Sequence, residues 1–381
     1  MNIVFSHCTM SYPLRFCASN TKAEYLSLGL MKAGANVVFI NGIEGSDVNA
    51  DAVLKHKGIK CYLFAKKGNK LVQILANIGK LVKILVREYK SSDDNVLFVG
   101  GRTPIFLYQL FCARIIGYKC VWMTQEWEPS ILGNTLYCKV SSYIATKWYA
   151  KWLHGIFPIS HFLWNKYVRF NKPMRIIPVL ADFNAGSNYK QDTQFNHFAY
   201  CAGVAYYDVI EMVIEAFAKY INDGGLHKLI LVLYGKKELV ENVIKKIVMV
   251  GMTEWIQVKQ QVSDEELMSI YRSSLGLLIP LNPNSVADEA RFSQKIAEYL
   301  STMRPIITCN VGEIRYYFTD RENCILTDYS AVSICEGLKF LASDEERANR
   351  IGENGFCLGK KYFDYLDNGQ KVMDYIISKI V

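Results

Sequence analysis

The stretch SVADEARFSQKIAEYLSTMRPIIT, residues 285–308, decides the fold of this chain. It begins with a polar segment that contains Asp288, Glu289 and Arg291. Its middle part then places apolar residues at helical spacing, namely Phe292, Ile296, Tyr299 and Leu300. The last part, RPIIT, is a short apolar run after a proline, which is typical of a buried strand. The stretch therefore predicts a loop, a helix and a strand, in that order.

The start of this helix is a candidate anion site. A helix N-terminus carries unpaired backbone N–H groups and a partial positive charge, and here Arg291 and Lys295 stand beside it. Glu298 follows about one helical turn after Lys295, where its carboxylate can accept hydrogen bonds from a sugar hydroxyl. Phosphate on the amides and a sugar on the carboxylate together suit a nucleoside diphosphate sugar.

The passage FSQKIAEYLSTMRPIIT resembles the nucleotide-sugar glycosyltransferases of GT-B fold, and most closely glycosyltransferase family 4. Members carry a loop, then Pro or Ser, a Lys, a Glu followed by Tyr or Ala, and a strand that opens with Pro. The resemblance implies an α/β protein with two Rossmann-like domains that face each other across a cleft. The family's paired glutamates stand eight residues apart, whereas the residue eight before Glu298 is Ala290, with Glu289 next to it.

The resemblance also implies which residues bind the donor. In the family, the loop after the first strand of the second domain contains an Arg and a Lys that meet the donor phosphates. This chain has Val204 and Asp208 there, so Arg291 and Lys295 are left to neutralise the charge of the donor diphosphate. The donor-binding residues implied are Gly203, Gly235, Glu289, Arg291, Lys295 and Glu298.

Size and composition fit this interpretation. A chain of 381 residues with 51% hydrophobic residues is long enough for two domains with their own cores. The net charge of +8 is modest, and no nucleic-acid partner is expected from it. The eleven cysteines are scattered without metal-binding spacing, and Asp93 and Asp94 have the wrong spacing for a metal motif. We therefore expect no metal, no cofactor apart from the donor substrate, and free thiols in a cytoplasmic protein.

The domain organisation follows from element order. Residues 1–184 read as a Rossmann-like acceptor-binding domain, and the polar segment 184–196 lacks apolar periodicity and marks the boundary. Residues 197–366 read as the nucleotide-sugar-binding domain. Residues 367–381 form a C-terminal tail, which in GT-B enzymes often crosses back to the first domain. MRIIPVLADF, residues 174–183, is expected to be the last strand of the first domain.

Two residues of the first half are candidates for acid–base chemistry, and a third is a candidate to face the cleft. Glu126 and Glu128 follow the strand KCVWMT, and carboxyl ends of parallel strands are where open α/β sheets place ligands. Either carboxylate can accept the proton of an acceptor hydroxyl, and the plain alternative is a loop acid. His7 follows the first strand, where it either faces the cleft or is an ordinary polar loop residue.

The first half also contains a candidate membrane surface. Residues 66–90 combine a stripe of apolar side chains with Lys70, Lys80, Lys83 and Arg87, which predicts a basic amphipathic helix. Such a helix either packs in the domain with solvated lysines or contacts anionic lipid headgroups. The first half is also rich in aromatic residues, which suit sugar faces, lipid interfaces and cores alike, with core packing as the default: Trp122, Trp127, Trp148, Trp152, Tyr137, Tyr143 and Tyr149.

The function expected is transfer of a sugar from a nucleoside diphosphate sugar to a hydroxyl of a glycan or lipid-linked acceptor, for example in bacterial surface polysaccharide or glycolipid synthesis. The protein would then be cytoplasmic and possess a peripheral attachment to the inner face of the membrane. A nucleotide-sugar 2-epimerase of the same fold, or a sugar-nucleotide-binding protein without activity, are alternatives.

Overall fold

The computed structural model describes residues 1–9, 11–15, 17–41, 46, 48–66, 68–100, 105–127, 129, 135–184 and 196–381. Within them the chain forms two compact units. Unit 1 comprises Met1–Ala181, Ala290–Gln294 and Phe363–Val381, and unit 2 comprises Asp182–Glu289 and Lys295–Tyr362. The chain therefore passes from one unit to the other four times.

Unit 1 is an α/β unit in which short apolar strands alternate with helices. Its strands are β1 (Asn2–Ser6), β2 (Asn36–Ile40), β3 (Ala52–His56), β4 (Ile59–Leu63), β5 (Asn95–Val99), β6 (Lys119–Thr124) and β7 (Gly155–Pro158). Its helices up to β7 are α1 (Ala18–Lys32), α2 (Lys70–Glu88), α3 (Ile105–Ile116) and α4 (Leu136–Ile144). After α4 the helix continues through a π-helical turn (Ala145–Tyr149) into a last turn (Ala150–Trp152). A further helix, α5 (His161–Tyr167), follows β7.

The sheet of unit 1 has the strand order β3-β4-β2-β1-β5-β6-β7, and only the β3–β4 hairpin is antiparallel. Its centre is buried on both faces, as parallel strands covered by helices require. The Phe5 and Phe98 rings stack there with centroids 4.4 Å apart. At the amino ends, Asn36 Nδ2 donates to Asn2 Oδ1 and Asn2 Nδ2 donates to Asn95 Oδ1, which links β2, β1 and β5 in register.

Unit 2 repeats the α/β alternation with a parallel sheet. The strands are β8 (His197–Gly203), β9 (Lys228–Tyr234), β10 (Ile256–Lys259), β11 (Ser274–Ile279), β12 (Ile306–Cys309) and β13 (Ile325–Thr327), in the order β10-β9-β8-β11-β12-β13. The helices are α6 (Tyr207–Asn222), α7 (Lys237–Met249), α8 (Asp264–Arg272), α9 (Val286–Ala290), α10 (Gln294–Leu300), α11 (Ile314–Tyr317), α12 (Ala331–Ala342) and α13 (Glu345–Phe363), with α9, α10 and α13 touching the unit boundary. Ser263 caps α8 by accepting from the Glu266 N–H at 3.1 Å, as its sequence predicts.

The C-terminal residues end in a helix, α14 (Tyr365–Lys379), which belongs to unit 1. It packs on α1 so closely that a Cβ at Gly29 would lie 2.2 Å from the Tyr365 carbonyl oxygen and 2.9 Å from the Gly369 Cα. Two glycines facing each other let the two backbones approach. The last residues of the chain thus complete the core of the first unit.

One expectation about unit 1 was wrong. Residues 174–183 are not a strand, and only isolated bridges at Met174 and Ala181 occur there. The segment bonds to β7 only briefly, through the Arg175 and Ile177 N–H groups, because Pro158 has no N–H with which to continue the ladder. The amphipathic helix expected within residues 66–90 is present as α2, with Leu81 and Leu85 buried and Leu75 70% exposed.

Candidate functional site

The loops after β8 and β9 meet at the carboxyl edge of the unit 2 sheet. Gly235 has φ +140°, and a Cβ there would lie 2.3 Å from Val204 Cγ2, so only glycine lets the two loops pack. Gly203 has an ordinary φ of −76°. A Cβ at Gly203 would meet nothing nearer than the Tyr206 ring at 3.8 Å and the Tyr234 carbonyl oxygen at 3.9 Å. The fold needs glycine at position 235, whereas at 203 it leaves open space.

Helix α10 is held against this edge by a tyrosine. Beyond Tyr200, β8 extends past its neighbour β11, and the Cys201 N–H donates instead to the Tyr299 hydroxyl at 3.3 Å. Tyr299 is fully buried and lies edge-on to Tyr271, with ring centroids 4.7 Å apart. This anchor fixes the turn of α10 that carries Lys295 and Glu298.

The charges of Lys295 and Glu298 both act on the pKa of a residue near the end of β8. Burial raises the pKa of the Cys201 thiol, the Lys295 ammonium opposes that rise, and the Glu298 carboxylate adds to it. Burial also raises the pKa of Tyr234, at the end of β9, to about 12, and Glu298 contributes. The structure therefore brings Lys295, Glu298, Gly203 and Tyr234 into one region of unit 2.

Lys295 stands out within that region. Its side chain is partly buried, yet within the described part of the chain its ammonium makes no hydrogen bond and no ion pair. A cation that has lost part of its water without gaining an anion is costly unless a ligand supplies the partner. Lys295 is therefore placed and charged to receive an anionic group.

The acidic residues before α10 are already engaged. Asp288 is buried, and its Oδ2 accepts from the Asn282 N–H at 3.0 Å, which closes the turn that leads into α9. Glu289 Oε1 accepts from Arg315 Nη2 at 2.7 Å. Gly312, at φ +57°, lets its loop lie against this segment, since a Cβ there would be 2.7 Å from the Asp288 carbonyl oxygen. Asp288 therefore stabilises the turn before α9, and the Glu289 carboxylate forms an ion pair with Arg315.

Arg315 was missed by the sequence reasoning. It lies on the single turn of α11, directly after the loop Gly312-Glu313-Ile314 that follows β12. That position after the carboxyl end of a parallel strand is the sequence signal that could have identified it.

Arg291 belongs to the other unit. It lies in the segment Ala290–Gln294 of unit 1, where the Phe292 ring contacts Phe363 at 5.4 Å between centroids. Gln294 binds the Leu180 backbone through both ends of its amide. The structure therefore separates Arg291 and Lys295, which the sequence had placed at one helix start, into two units.

Glu126 is an exposed residue in unit 1, directly after β6. Its backbone carbonyl accepts from Thr124 Oγ1 at 3.5 Å. Glu128, the other candidate proton acceptor, lies outside the described residues. Among the sequence candidates for proton transfer, the described side chains are those of Glu126 and His7.

His7 is held at one ring nitrogen. Its Nδ1 lies 2.7 Å from the Ser6 hydroxyl oxygen and 3.1 Å from Oε1 of Gln109, which is buried and donates from its Nε2 to the Gly100 carbonyl oxygen. The Nε2 of His7 is buried and has no hydrogen-bond partner in the described part of unit 1.

Burial lowers the pKa of His7 to about 4, although the Gln109 hydrogen bond raises it. The imidazole is therefore neutral at pH 7, and a nitrogen with so low a pKa is a weak base there.

Comparison with known proteins places these residues in a wider context. Residues 188–356 match the family model described as "Glycosyl transferases group 1". All candidate residues of unit 2, from Gly203 to Glu298, lie within the matched range, whereas His7, Glu126 and Glu128 lie outside it.

Solved structures extend the likeness to the whole chain. A sucrose-phosphate synthase from Thermosynechococcus elongatus is 12% identical, with a TM-score of 0.72 over 99% of this chain and 98% of that one. HepE from Anabaena, solved in complex with UDP-glucose, is 13% identical, with a TM-score of 0.73 over 99% and 100%. The trehalose-6-phosphate synthase OtsA is 9% identical, with a TM-score of 0.72 over 100% of both chains.

At these identities the likeness shows the fold, which is GT-B with two Rossmann-like domains, as expected from the sequence. The comparison with curated proteins found no match. Among the described residues, no helix is both long and apolar enough to span a bilayer. The same residues contain no cluster of three or more His, Cys, Asp or Glu side chains able to hold a metal ion.

Proposed function

We propose that the protein is a glycosyltransferase that moves a sugar from a nucleoside diphosphate sugar to a hydroxyl group. The observation that carries the proposal is Lys295, a partly buried cation without an anionic partner in the described chain, beside Glu298 in a group 1 domain. UDP-glucose is the first donor to try, because HepE was solved with it.

Each residue has a role in the proposed reaction. The bond between the sugar C1 and the diphosphate oxygen breaks, a bond between C1 and the acceptor oxygen forms, and the acceptor hydroxyl loses its proton to a base. Negative charge grows on the leaving diphosphate, and a fixed Lys295 ammonium stabilises it more in the transition state than in the ground state. Glu298 accepts hydrogen bonds from the sugar hydroxyls.

The base belongs to unit 1 in this proposal. Glu126 has an exposed carboxylate and His7 has an Nε2 without a partner among the described residues, and both follow carboxyl ends of strands in the sheet of that unit. Parallel α/β sheets place reacting groups at those ends. A finer assignment, to family 4 and to surface polysaccharide or glycolipid synthesis on the inner face of the membrane, is part of the same proposal.

The decisive experiment compares UDP with uridine. Lys295→Ala should weaken the binding of UDP by about 1.5 to 3 kcal/mol and the binding of uridine far less, because only UDP presents phosphates. Calorimetric titration measures both affinities. Lys245→Ala is the matched control, since Lys245 is an exposed lysine of α7 in the same unit. Equal losses for both ligands would remove Lys295 from a phosphate site.

A second variant tests the sugar side. Glu298→Gln keeps the shape but replaces a charged acceptor by a neutral one, so affinity for UDP-glucose should fall by about 1 to 2 kcal/mol while affinity for UDP changes little. Glu241→Gln, on an exposed position of α7, serves as control. Unchanged UDP-glucose affinity in a folded Glu298→Gln protein contradicts the assignment.

Product analysis with UDP-glucose and hydroxyl acceptors then identifies the reaction. Sugar transfer or donor hydrolysis supports the proposal. A 2-epimerised donor, or binding without any product, would replace it by one of the two alternatives.

A further inference from the structure

An apolar groove of about 750 Å³ lies between α3 and the helix that runs from α4 through the π turn to Trp152, all in unit 1. Its lining includes Leu107, Phe111, Ile115, Trp148 and Trp152. Phe111 and Ile115 are 66% and 70% exposed, and Trp148 and Trp152 are about half exposed. Large apolar side chains gathered in one open groove are uncommon on a protein surface without a partner.

The core beneath these helices is complete without the groove. Phe106 and Tyr149 stack on the inner side with centroids 3.9 Å apart, and Trp122 packs edge-on to Phe106 at 5.7 Å. All three are buried. The exposed faces of the groove rings are therefore not needed to complete this core, which points to an external partner.

The two chain segments that form the groove carry basic and no acidic residues. Residues 105–125 and 135–154 contain no Asp or Glu, while they contain Arg114, Lys119, Lys139, Lys147 and Lys151. The Lys151 ammonium lies 5.4 Å from the Trp148 ring centroid, and Arg114, which lines the groove, donates from its Nη1 to the Trp152 carbonyl oxygen at 2.6 Å. These two cations therefore lie at the apolar surface, and the charge of both segments favours a negatively charged partner.

This combination matches a lipid interface. Trp and Tyr prefer the level of the headgroups, apolar side chains enter the acyl region, and Lys and Arg pair with anionic headgroups. The helix α4 adds Leu136 and Tyr137, which are 78% and 58% exposed. A second copy of the chain is a poorer occupant, because a two-fold contact would bring the same cations against each other.

We propose that the groove between α3 and the segment from Leu136 to Trp152 docks the protein on an anionic lipid surface. The surface is distinct from α2, whose membrane contact was an expectation from the sequence. The proposal does not depend on sugar transfer, because docking needs neither donor nor acceptor.

The test is sedimentation of the full chain with phosphatidylcholine vesicles, with and without phosphatidylglycerol. Binding should require phosphatidylglycerol and weaken as salt rises. The double variant Trp148→Ser, Trp152→Ser should bind about tenfold or more weakly, because half-exposed indoles anchor the contact. The triple variant Lys139→Gln, Lys147→Gln, Lys151→Gln keeps the apolar groove and should also lose about tenfold or more, together with much of the salt dependence.

Two controls separate this surface from others. Leu226→Ser removes an 81% exposed leucine of unit 2, and Leu75→Ser removes the exposed leucine of α2. Brominated lipids should quench tryptophan fluorescence in the wild type and in both controls. A Trp148→Phe, Trp152→Phe variant should lose that quenching while it stays bound.

Three outcomes would overturn the proposal. The first is that the wild type fails to bind anionic vesicles at low salt. The second is that the Trp and Lys variants bind like the wild type while Leu75→Ser does not. The third is that sedimentation equilibrium shows a dimer that the Trp variant abolishes. Inactivity of the enzyme with every donor would leave the vesicle result intact, so failure of the proposed function and failure of this docking site are distinguishable.

Discussion

At the scale of single residues, the two glycines of the candidate donor site differ in whether the fold itself requires a glycine. Gly235 is required by its own chain, because of its φ of +140° and the side chain of Val204. Gly203 is not required by the fold, since its backbone is ordinary and its surroundings are open. If Gly203 matters, the reason is therefore a ligand that approaches its backbone.

This difference gives a paired prediction. Gly235→Ala should lower the free energy of unfolding by about 2 kcal/mol or more, since the strain and the clash have no easy relief. Gly203→Ala should change the free energy of unfolding by no more than about 0.5 kcal/mol. It should lower the affinity for UDP-glucose by about tenfold or more. Urea unfolding and calorimetric titration of both proteins measure the two quantities. A Gly203→Ala protein that binds like the wild type would contradict a close backbone contact there.

His7 gives a prediction about pH. Its folded-state pKa of about 4 lies below the ordinary value of 6.5, so between these values the unfolded chain binds more protons than the folded one. The free energy of unfolding must therefore fall as the pH is lowered from 6.5 towards 4, with a contribution from His7 of about 2 to 3 kcal/mol.

His7→Asn removes the titrating group and keeps a residue that tolerates the φ of +60° found at this position. Urea unfolding at several pH values should show a shallower acid loss for His7→Asn than for the wild type. Parallel curves for the two proteins would mean that the imidazole is not desolvated as described.

At the scale of elements, α14 and α1 form a contact that glycine makes possible. Gly29 and Gly369 face each other, and the backbone of Tyr365 lies where a Cβ of residue 29 would be. In contrast, Gly79 in the middle of α2 has open space on its side-chain position. One substitution, glycine to alanine, should therefore have opposite effects in the two helices.

Gly29→Ala should lower the free energy of unfolding by about 2 kcal/mol or more, because α14 must move away from α1. Gly79→Ala should raise it by about 0.5 to 1 kcal/mol, because alanine restricts the unfolded chain and favours the helix. Thermal and urea unfolding of the two variants give the values. Equal effects in both helices would contradict the close approach of α1 and α14.

At the scale of the whole molecule, the chain forms two units of the same architecture that interleave in sequence. The segments Ala290–Gln294 and Phe363–Val381 belong to unit 1, although unit 2 surrounds the first of them in the sequence. The motif that decides the fold is therefore divided, with Phe292 packed on Phe363 in unit 1 and Lys295 in unit 2. The predicted limits of the domains, 1–184 and 197–366, and the predicted site residues remain predictions.

The sequence by itself determined the elements with strong periodicity. The apolar residues of FSQKIAEYL are buried as predicted, and the fully buried strands β5 and β11 follow from their continuous apolar runs. The resemblance of 285–308 implied the GT-B fold, and the family match over residues 188–356 and the solved structures agree. Local spacing suffices here because a helix or a buried strand is specified by neighbours in the chain.

Only the tertiary structure decided which charges meet. The pairing of Glu289 with Arg315, the position of Lys295 near Cys201, and the contact of His7 with Gln109 all join residues that are distant in sequence. The same holds for the exposed Trp148 and Trp152, which composition alone could not tell from the buried Trp122. The physical reason is that burial and ion pairing depend on what the rest of the chain places within a few ångströms, and no local pattern encodes that distance.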